Sequence, residues 1–465
     1  MARKKSNFDK WYCVLLAIIG LIMSLSIPVW QTPDEYAHLK MIASSLDNDD
    51  IAKNIINDIE GYEYKNYFND LHDIHSYTII LDDYVDLLQK KPSYTRGSML
   101  PHGINISLFK HFPATIGILI GSLLGLPSLI VLHIGEVFSI LFYILMIYAS
   151  LQVLPIKKVL FCCFAISPMV MQQVASINYD AVLFPLCFFY IAKVLNFKFC
   201  KEQFGLKDIL ILLGLILYIT YIKIPYFFLV LFLLVIPLEK YNIQLGFINI
   251  DKEWIEKNKI PLIFVGLLSF VSGIYLLRNH YYFRILLEML HEWKRSLYLF
   301  KSTFQTWFRF LFISSVGNFG WLDTPISIVI AVIIYIVFVA SAFCDNRNRK
   351  YTWRKKDYII VFGTFLLLCC LITTSMVNHT MTVILFGEER VCDYNVREAL
   401  YQIPYIGGLQ GRYYIPFLML PFFLLPSKLS LEINTRLKNV LIFVSLMLFC
   451  LLEGYIVFLL LNRYW

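Results

Sequence analysis

Apolar residues in this chain run in long blocks, separated by short stretches rich in charge, proline or aromatic residues. A bilayer hydrocarbon core of about 30 Å takes roughly 20 helical residues. The first block of that length, Trp11 to Trp30, follows Arg3, Lys4, Lys5 and Lys10. Its basic flank resembles a secretory signal, but the apolar run is long and no small-x-small cleavage site precedes the polar segment. It therefore reads as a retained anchor with a cytoplasmic N-terminus. Further blocks at 130–153, 159–176, 181–197, 208–222, 225–238, 260–278, 326–343, 358–375, 412–426 and 439–461 follow. They predict an all-α integral membrane protein of about 11 (11–13) transmembrane helices. Residues 113–126 are too short to span comfortably and read as an interfacial or re-entrant helix, or as one arm of a helix pair within 113–153.

No polar linker, repeat or low-complexity run divides the chain, so 1–465 reads as a single polytopic transmembrane domain. Alternation of sides predicts a long first extracytoplasmic loop at 31–112, a second segment at 279–325 and a third at 376–411. The distribution of basic residues agrees with this orientation. The loops placed inside hold Lys157 and Lys158; Lys198, Lys201 and Lys207; Arg347, Arg349, Lys350, Arg354, Lys355 and Lys356; and Lys428, Arg436 and Lys438. The first outer loop is instead rich in acids, among them Asp47, Asp49, Asp50, Asp58, Asp82 and Asp83.

Composition fits this picture. Over 465 residues the chain is 58% hydrophobic and 16% charged, with a mean hydropathy of +0.64. An ordinary soluble domain carries about 25% charged residues. The net charge of +8 lies in short loops rather than on one basic face, which argues for orientation and against nucleic-acid binding. Of the ten cysteines, Cys13, Cys162, Cys163, Cys187, Cys369, Cys370 and Cys450 lie inside apolar blocks and read as inert packing groups; no CxxC or Cys/His spacing suggests zinc. No Walker loop, HExxH, GxSxG or dinucleotide glycine fingerprint is present.

The remaining charges are few, and several fall, with polar and aromatic neighbours, in clusters at the predicted outer ends of spans. They are Asp34, Glu35 and His38 in PDEYAH; Asn178 and Asp180 in SINYD; Lys223 and Tyr226 in KIPY; Trp321 and Asp323 after Gly317 and Gly320; and Gln410, Arg412 and Tyr413 in QGRYYIP. Ionisable groups at membrane depth are costly, so their gathering on one face points to a polar site. Adjacent helical carboxylates diverge by about 100°, so Asp34 and Glu35 cannot form a facing acid/base pair; one serves as base while the other caps or orients. His38 lies one turn after Asp34, placed to contact phosphate or orient the carboxylate. Arg412, beside the flexible Gly411, suits bidentate phosphate binding. Plainer readings stand beside these. Pro33 with two acids marks a helix start, Lys223 and Arg412 can be snorkelling anchors, and Trp321 can be an interfacial belt residue. His133 and Glu136, at i and i+3 within a span, are expected to satisfy each other or a neighbouring helix.

In this order, PDEYAH at 33–38, SINYD at 176–180, KIPY at 223–226 and QGRYYIP at 410–416 resemble a bacterial family of polytopic membrane proteins of unknown function. That family looks like a branch of the GT-C glycosyltransferases. The resemblance implies a sugar donor carried on polyprenyl (undecaprenyl) phosphate in the bilayer, and a glycan, cell-wall polymer or lipid acceptor outside the cytoplasmic membrane. It also implies Asp34 as base with Glu35 second, Lys223 and Arg412 on the donor phosphate, and His38 as helper. No organic cofactor is implied. A divalent metal is used by some members of the superfamily, and the lack of an outward Asp-x-Asp here leaves it open. Two other classes use similar ligands. A polysaccharide polymerase would be expected to rely on paired arginines in large outer loops, and a lipid-linked glycan flippase or transporter on mid-span charges and inverted repeats.

Overall fold

The computed structural model describes residues 7–59, 84–201, 203–245, 248–261, 264, 268, 281–343, 351–386, 395–425 and 435–465. Among these, five helices are long and apolar enough to cross a membrane: Asn7–Ser26, Ser128–Val153, Asp180–Phe199, Lys355–Val383 and Phe443–Tyr464. By its contacts the chain divides into two compact units. One holds 1–189, 316–347 and 426–465; the other holds 190–315 and 348–425.

In the first unit, Phe112–Leu124 and Ser128–Val153 form the anticipated helix pair. Their axes approach closely at Gly117, where a Cβ would lie 2.5 Å from the Ile134 carbonyl oxygen. Asn7–Ser26 packs against the longer arm and against Thr435–Tyr464. The expected span 159–176 is two short helices, Lys158–Ala165 and Pro168–Val174. Pro168 disfavours helical geometry at Ser167, which is extended (φ −62°, ψ 142°). The polar segment 31–112 folds as well: Glu35–Ser45 and Asp50–Ile59 bury Leu39, Ile42, Ile51 and Ile55 with Met99, Ile118 and Leu132. Asp50–Ile59 owes its place to an apolar stripe at 51, 52, 55, 56 and 59, the spacing of one helical face.

In the second unit, Leu206–Ile222 leads into a 3₁₀ helix at Ile224–Val235, which lies along Lys355–Phe386. Pro225 lacks the N–H needed to continue the α-helical ladder, which ends the predicted span 208–222 and tightens 225–238. The expected span 412–426 is likewise three short turns, Gly411–Tyr414, Ile415–Leu418 and Leu420–Phe423, with Pro416 and Pro421 at the starts of the last two. Lys355–Phe386 outruns the predicted 358–375 and enters the segment expected to be a loop. Within 279–325, Tyr281–His291 and Trp293–Ser314 are helical. Most of the expected span 260–278 lies outside the described residues. Where the basic stretches begin, Lys198 and Asp357 form a buried ion pair at 2.7 Å, and Lys198 also donates to the Val235 carbonyl.

Candidate functional site

Asp34 and Glu35 sit at the start of Glu35–Ser45, on a turn held in unusual backbone geometry. Trp30 (φ 70°) and Asp34 (φ 72°) both occupy the left-handed region, which costs an L-residue roughly 1 kcal/mol or more. The turn is fastened by Glu35. One carboxylate oxygen accepts the backbone N–H of Trp30 (2.9 Å) and of Thr32 (3.3 Å), and the other accepts that of Ile177 (3.2 Å). Trp321 braces the same turn by donating its indole N–H to the Trp30 carbonyl at 2.7 Å. Glu35 is thereby buried while Asp34 is exposed. Burial, then the negative field of Glu136, pushes the Glu35 carboxyl up to about 8, against the opposing pull of the three amides. The two adjacent acids thus do different work: Glu35 shapes the turn, and the strained backbone displays Asp34.

His38, one turn on, is buried, and its Nδ1 lies 2.9 Å from Nε2 of His111. The Tyr179 ring stands edge-on to His38 at 4.8 Å. Burial, with His38 and Lys110 adding to it, holds the His111 imidazole well below the usual histidine range. Asn178 accepts the Ala181 N–H and donates to Gln173 and Ser176, so it shapes the entry to Asp180–Phe199. Asp180 is buried in the first turn of that helix. Asp323 is paired with Arg463 at 3.1 Å.

His133 and Glu136 satisfy each other at 2.8 Å, as their spacing suggested. They belong to a larger network: the Ser24 hydroxyl donates to Glu136, and the Tyr84 hydroxyl meets Nε2 of His133. The sequence did not single out Tyr84, Ser24 or His111. Tyr84 and Ser24 come from positions 49 and 109 residues away from His133, beyond any local pattern. His111 did carry a signal, closing the polar segment immediately before the helix that opens with Phe112-Pro113.

The second unit gathers the cations. Lys223, at the C-terminal cap of Leu206–Ile222, places Nζ 3.7 Å above the centre of the Tyr413 ring. The buried guanidinium of Arg412 lies 5.5 Å from the same centre. Tyr226 fixes the arrangement by donating its hydroxyl to the Tyr413 carbonyl at 2.7 Å. Gly411 allows it: a Cβ there would lie 2.1 Å from the Ser315 backbone nitrogen. The Gly411 N–H bonds the Ser314 hydroxyl at 2.9 Å. The side-chain oxygen of Gln410 is buried with no hydrogen-bond partner among the described residues.

The expected site residues therefore fall into two groups, each ordered within its own unit. Asp34, Glu35, His38, Asn178, Asp180, Trp321 and Asp323 belong to the first, and Lys223, Tyr226, Gln410, Arg412 and Tyr413 to the second. A divalent metal does not fit these residues. Among those described, no three His, Cys, Asp or Glu side chains gather as ligands, and both Glu35 oxygens already serve backbone amides.

Helices of this length and apolarity, with charge confined to a few ordered clusters, define an integral membrane protein. The chain belongs to the family described as Predicted membrane protein (DUF2142), which it matches over residues 16–421. No curated protein and no solved structure matches it.

Proposed function

We propose that the chain is a GT-C-like membrane glycosyltransferase of about eleven spans, with its N-terminus cytoplasmic and its chemistry outside the cytoplasmic membrane. It moves a sugar from a polyprenyl phosphate carrier to an extracytoplasmic glycan, cell-wall polymer or lipid acceptor, with inversion. The observation that carries this reading is the meeting of Lys223 and Arg412 on one tyrosine ring. Two cations gathered on one aromatic face concentrate positive charge at one place, as a lipid phosphate headgroup requires. In the proposed step the acceptor oxygen bonds the anomeric carbon while its proton passes to Asp34. The bond from that carbon to the phosphate oxygen breaks, and the electron pair leaves with the polyprenyl phosphate. Lys223 and Arg412 stabilise the charge that grows there. Phosphate needs no general acid to depart. Exposure of Asp34 on a strained turn supports its role as base, and the three amides on Glu35 support a positioning role for that neighbour.

The test is sugar transfer in membrane vesicles supplied with a panel of polyprenyl-phosphate sugars. Asp34→Asn, inserted normally, is expected to lose at least a hundredfold in rate, the lower end of what a positioned base contributes (~10²–10⁴). Full activity in that variant removes the assignment, and movement of intact lipid-linked sugar without cleavage makes the protein a flippase.

A further inference from the structure

Beside the Asp34 turn, the two helices of the first polar segment flank an open groove of about 470 Å³, a volume within the usual range for small-ligand sites. Tyr36, Lys40 and Ser44 line one wall at i, i+4 and i+8 of Glu35–Ser45. Asp49, Lys53 and Asn57 come from the start and body of Asp50–Ile59, and Ala52 and Ile56 form an apolar floor. The backs of both helices are buried through Leu39, Ile42, Ala43, Ile51 and Ile55, so the walls are rigid. At 1.5 Å per residue the groove extends about 12 Å along the first helix.

We infer that this groove binds an anionic saccharide, and that it seats the acceptor glycan. The inference rests on the transferase reading above and narrows its acceptor class. Three observations select the ligand. Among the described residues neither Lys40 nor Lys53 has an ion-pair partner, whereas only one carboxylate, Asp49, lines the groove. Lys40 holds its ammonium 4.3 Å over the face of Tyr36. That ring therefore presents a cation where a neutral-sugar site would present a bare stacking face. Asn57, Ser44 and Asp49 offer an amide, a hydroxyl and a carboxylate to sugar hydroxyls above the apolar floor. A simple phosphate surface would gain nothing from the Asp49 carboxylate, so the combination favours a polyhydroxylated anion over a lipid headgroup. The groove also begins at Tyr36, in the first turn of the helix that Asp34 precedes as N-cap, so its near end lies within one turn of the proposed base along the chain.

The experiment is calorimetric titration of the full-length protein, in nanodiscs of zwitterionic lipid, with trigalacturonate and with neutral maltotriose. Trigalacturonate is expected to bind at least tenfold tighter. Lys40→Gln with Lys53→Gln should abolish that preference. Both lysines are exposed, so the double variant should melt like the wild type. Equal affinity for the two sugars, no binding of either, or an anionic preference that survives the double variant overturns the inference. So does saturation of the lysines by phosphatidylglycerol vesicles with no saccharide bound. Because binding is read without turnover, a wild type that binds trigalacturonate but transfers no sugar defeats only the transferase reading. One that transfers sugar but ignores trigalacturonate defeats only the groove.

Discussion

Glu35 in one unit and Arg412 in the other are both buried ionisable side chains, and opposite means hold them. Glu35 is tied by three backbone amides drawn from two separate stretches of chain, so its oxygens are spent on architecture. Arg412 and its neighbour Lys223 are placed by one aromatic ring and by a glycine that lets two backbones touch. A ring face attracts cations without neutralising them. The first unit thus uses an acid to shape a loop and exposes a different acid, while the second gathers its cations on one ring. Substitutions that attack the holding device separate the two arrangements.

The largest effect is expected at Gly411→Ala. Its Cβ would lie 2.1 Å from the Ser315 nitrogen and 2.4 Å from the Ser314 carbonyl carbon, and neither backbone atom can rotate aside. Most of the protein should be lost as monodisperse material on size exclusion in detergent; normal yield and melting would show that the close approach is dispensable. Next is Glu35→Ala, which leaves three backbone donors without their acceptor. At about 1 kcal/mol or more for each orphaned buried group, the melting temperature should fall clearly, and Asp34-dependent transfer should fall with it as the turn relaxes.

Glu35 also gives the first unit a pH signature. Its folded value is raised, from an ordinary 4.5 to about 8. The native state therefore binds more protons than the unfolded chain between those values, and stability falls as pH rises through that window. Melting at pH 5 and pH 8 should show the drop in wild type and a smaller one in Glu35→Gln; identical slopes would remove Glu35 as its source. A smaller effect is expected for Tyr413→Leu in the second unit. Losing the ring between Lys223 and Arg412 should weaken donor binding roughly fivefold, in line with about 1 kcal/mol for a partly desolvated cation–π pair, with little change in melting.

The same contrast explains which parts of the molecule could be read from the sequence. The apolar run 130–153 became the helix Ser128–Val153 because nothing in it interrupts the backbone ladder, whereas 181–197 became Asp180–Phe199 with Pro185 inside it, near its start. Runs 159–176 and 412–426 contain prolines at 168, 416 and 421, and hydropathy counts a proline's apolar atoms without its missing N–H. The cationic group was legible because KIPY and QGRYYIP carry their own ring, glycine and cations within a few residues. The division of labour between Asp34 and Glu35 was only half legible. Adjacency showed that they diverge, but which one turns inward depends on Ile177, 142 residues away. The joining of Tyr84 and Ser24 to the His133–Glu136 pair, and the polar groove, required the fold itself, since these members meet only after separate segments pack.

The smallest effect distinguishes a second buried acid from Glu35. Glu453 lies in the last span at 4% exposure, close to the 3% of Glu35. Neither of its side-chain oxygens has a hydrogen-bond partner among the described residues. If burial decided the outcome, Glu35→Gln and Glu453→Gln would destabilise alike. If partners decide it, they should differ. A carboxyl that serves three amides is worse replaced by a group with one acceptor oxygen, whereas a carboxyl that serves none loses nothing when it becomes an amide. Glu453→Leu should go further by removing an unsatisfied buried polar group, whose desolvation costs on the order of 1–3 kcal/mol. Melting of Glu453→Gln is therefore expected within error of wild type, and Glu453→Leu at or above it. Destabilisation of both, as large as that of Glu35→Ala, would mean that burial rather than hydrogen bonding sets the value of these acids.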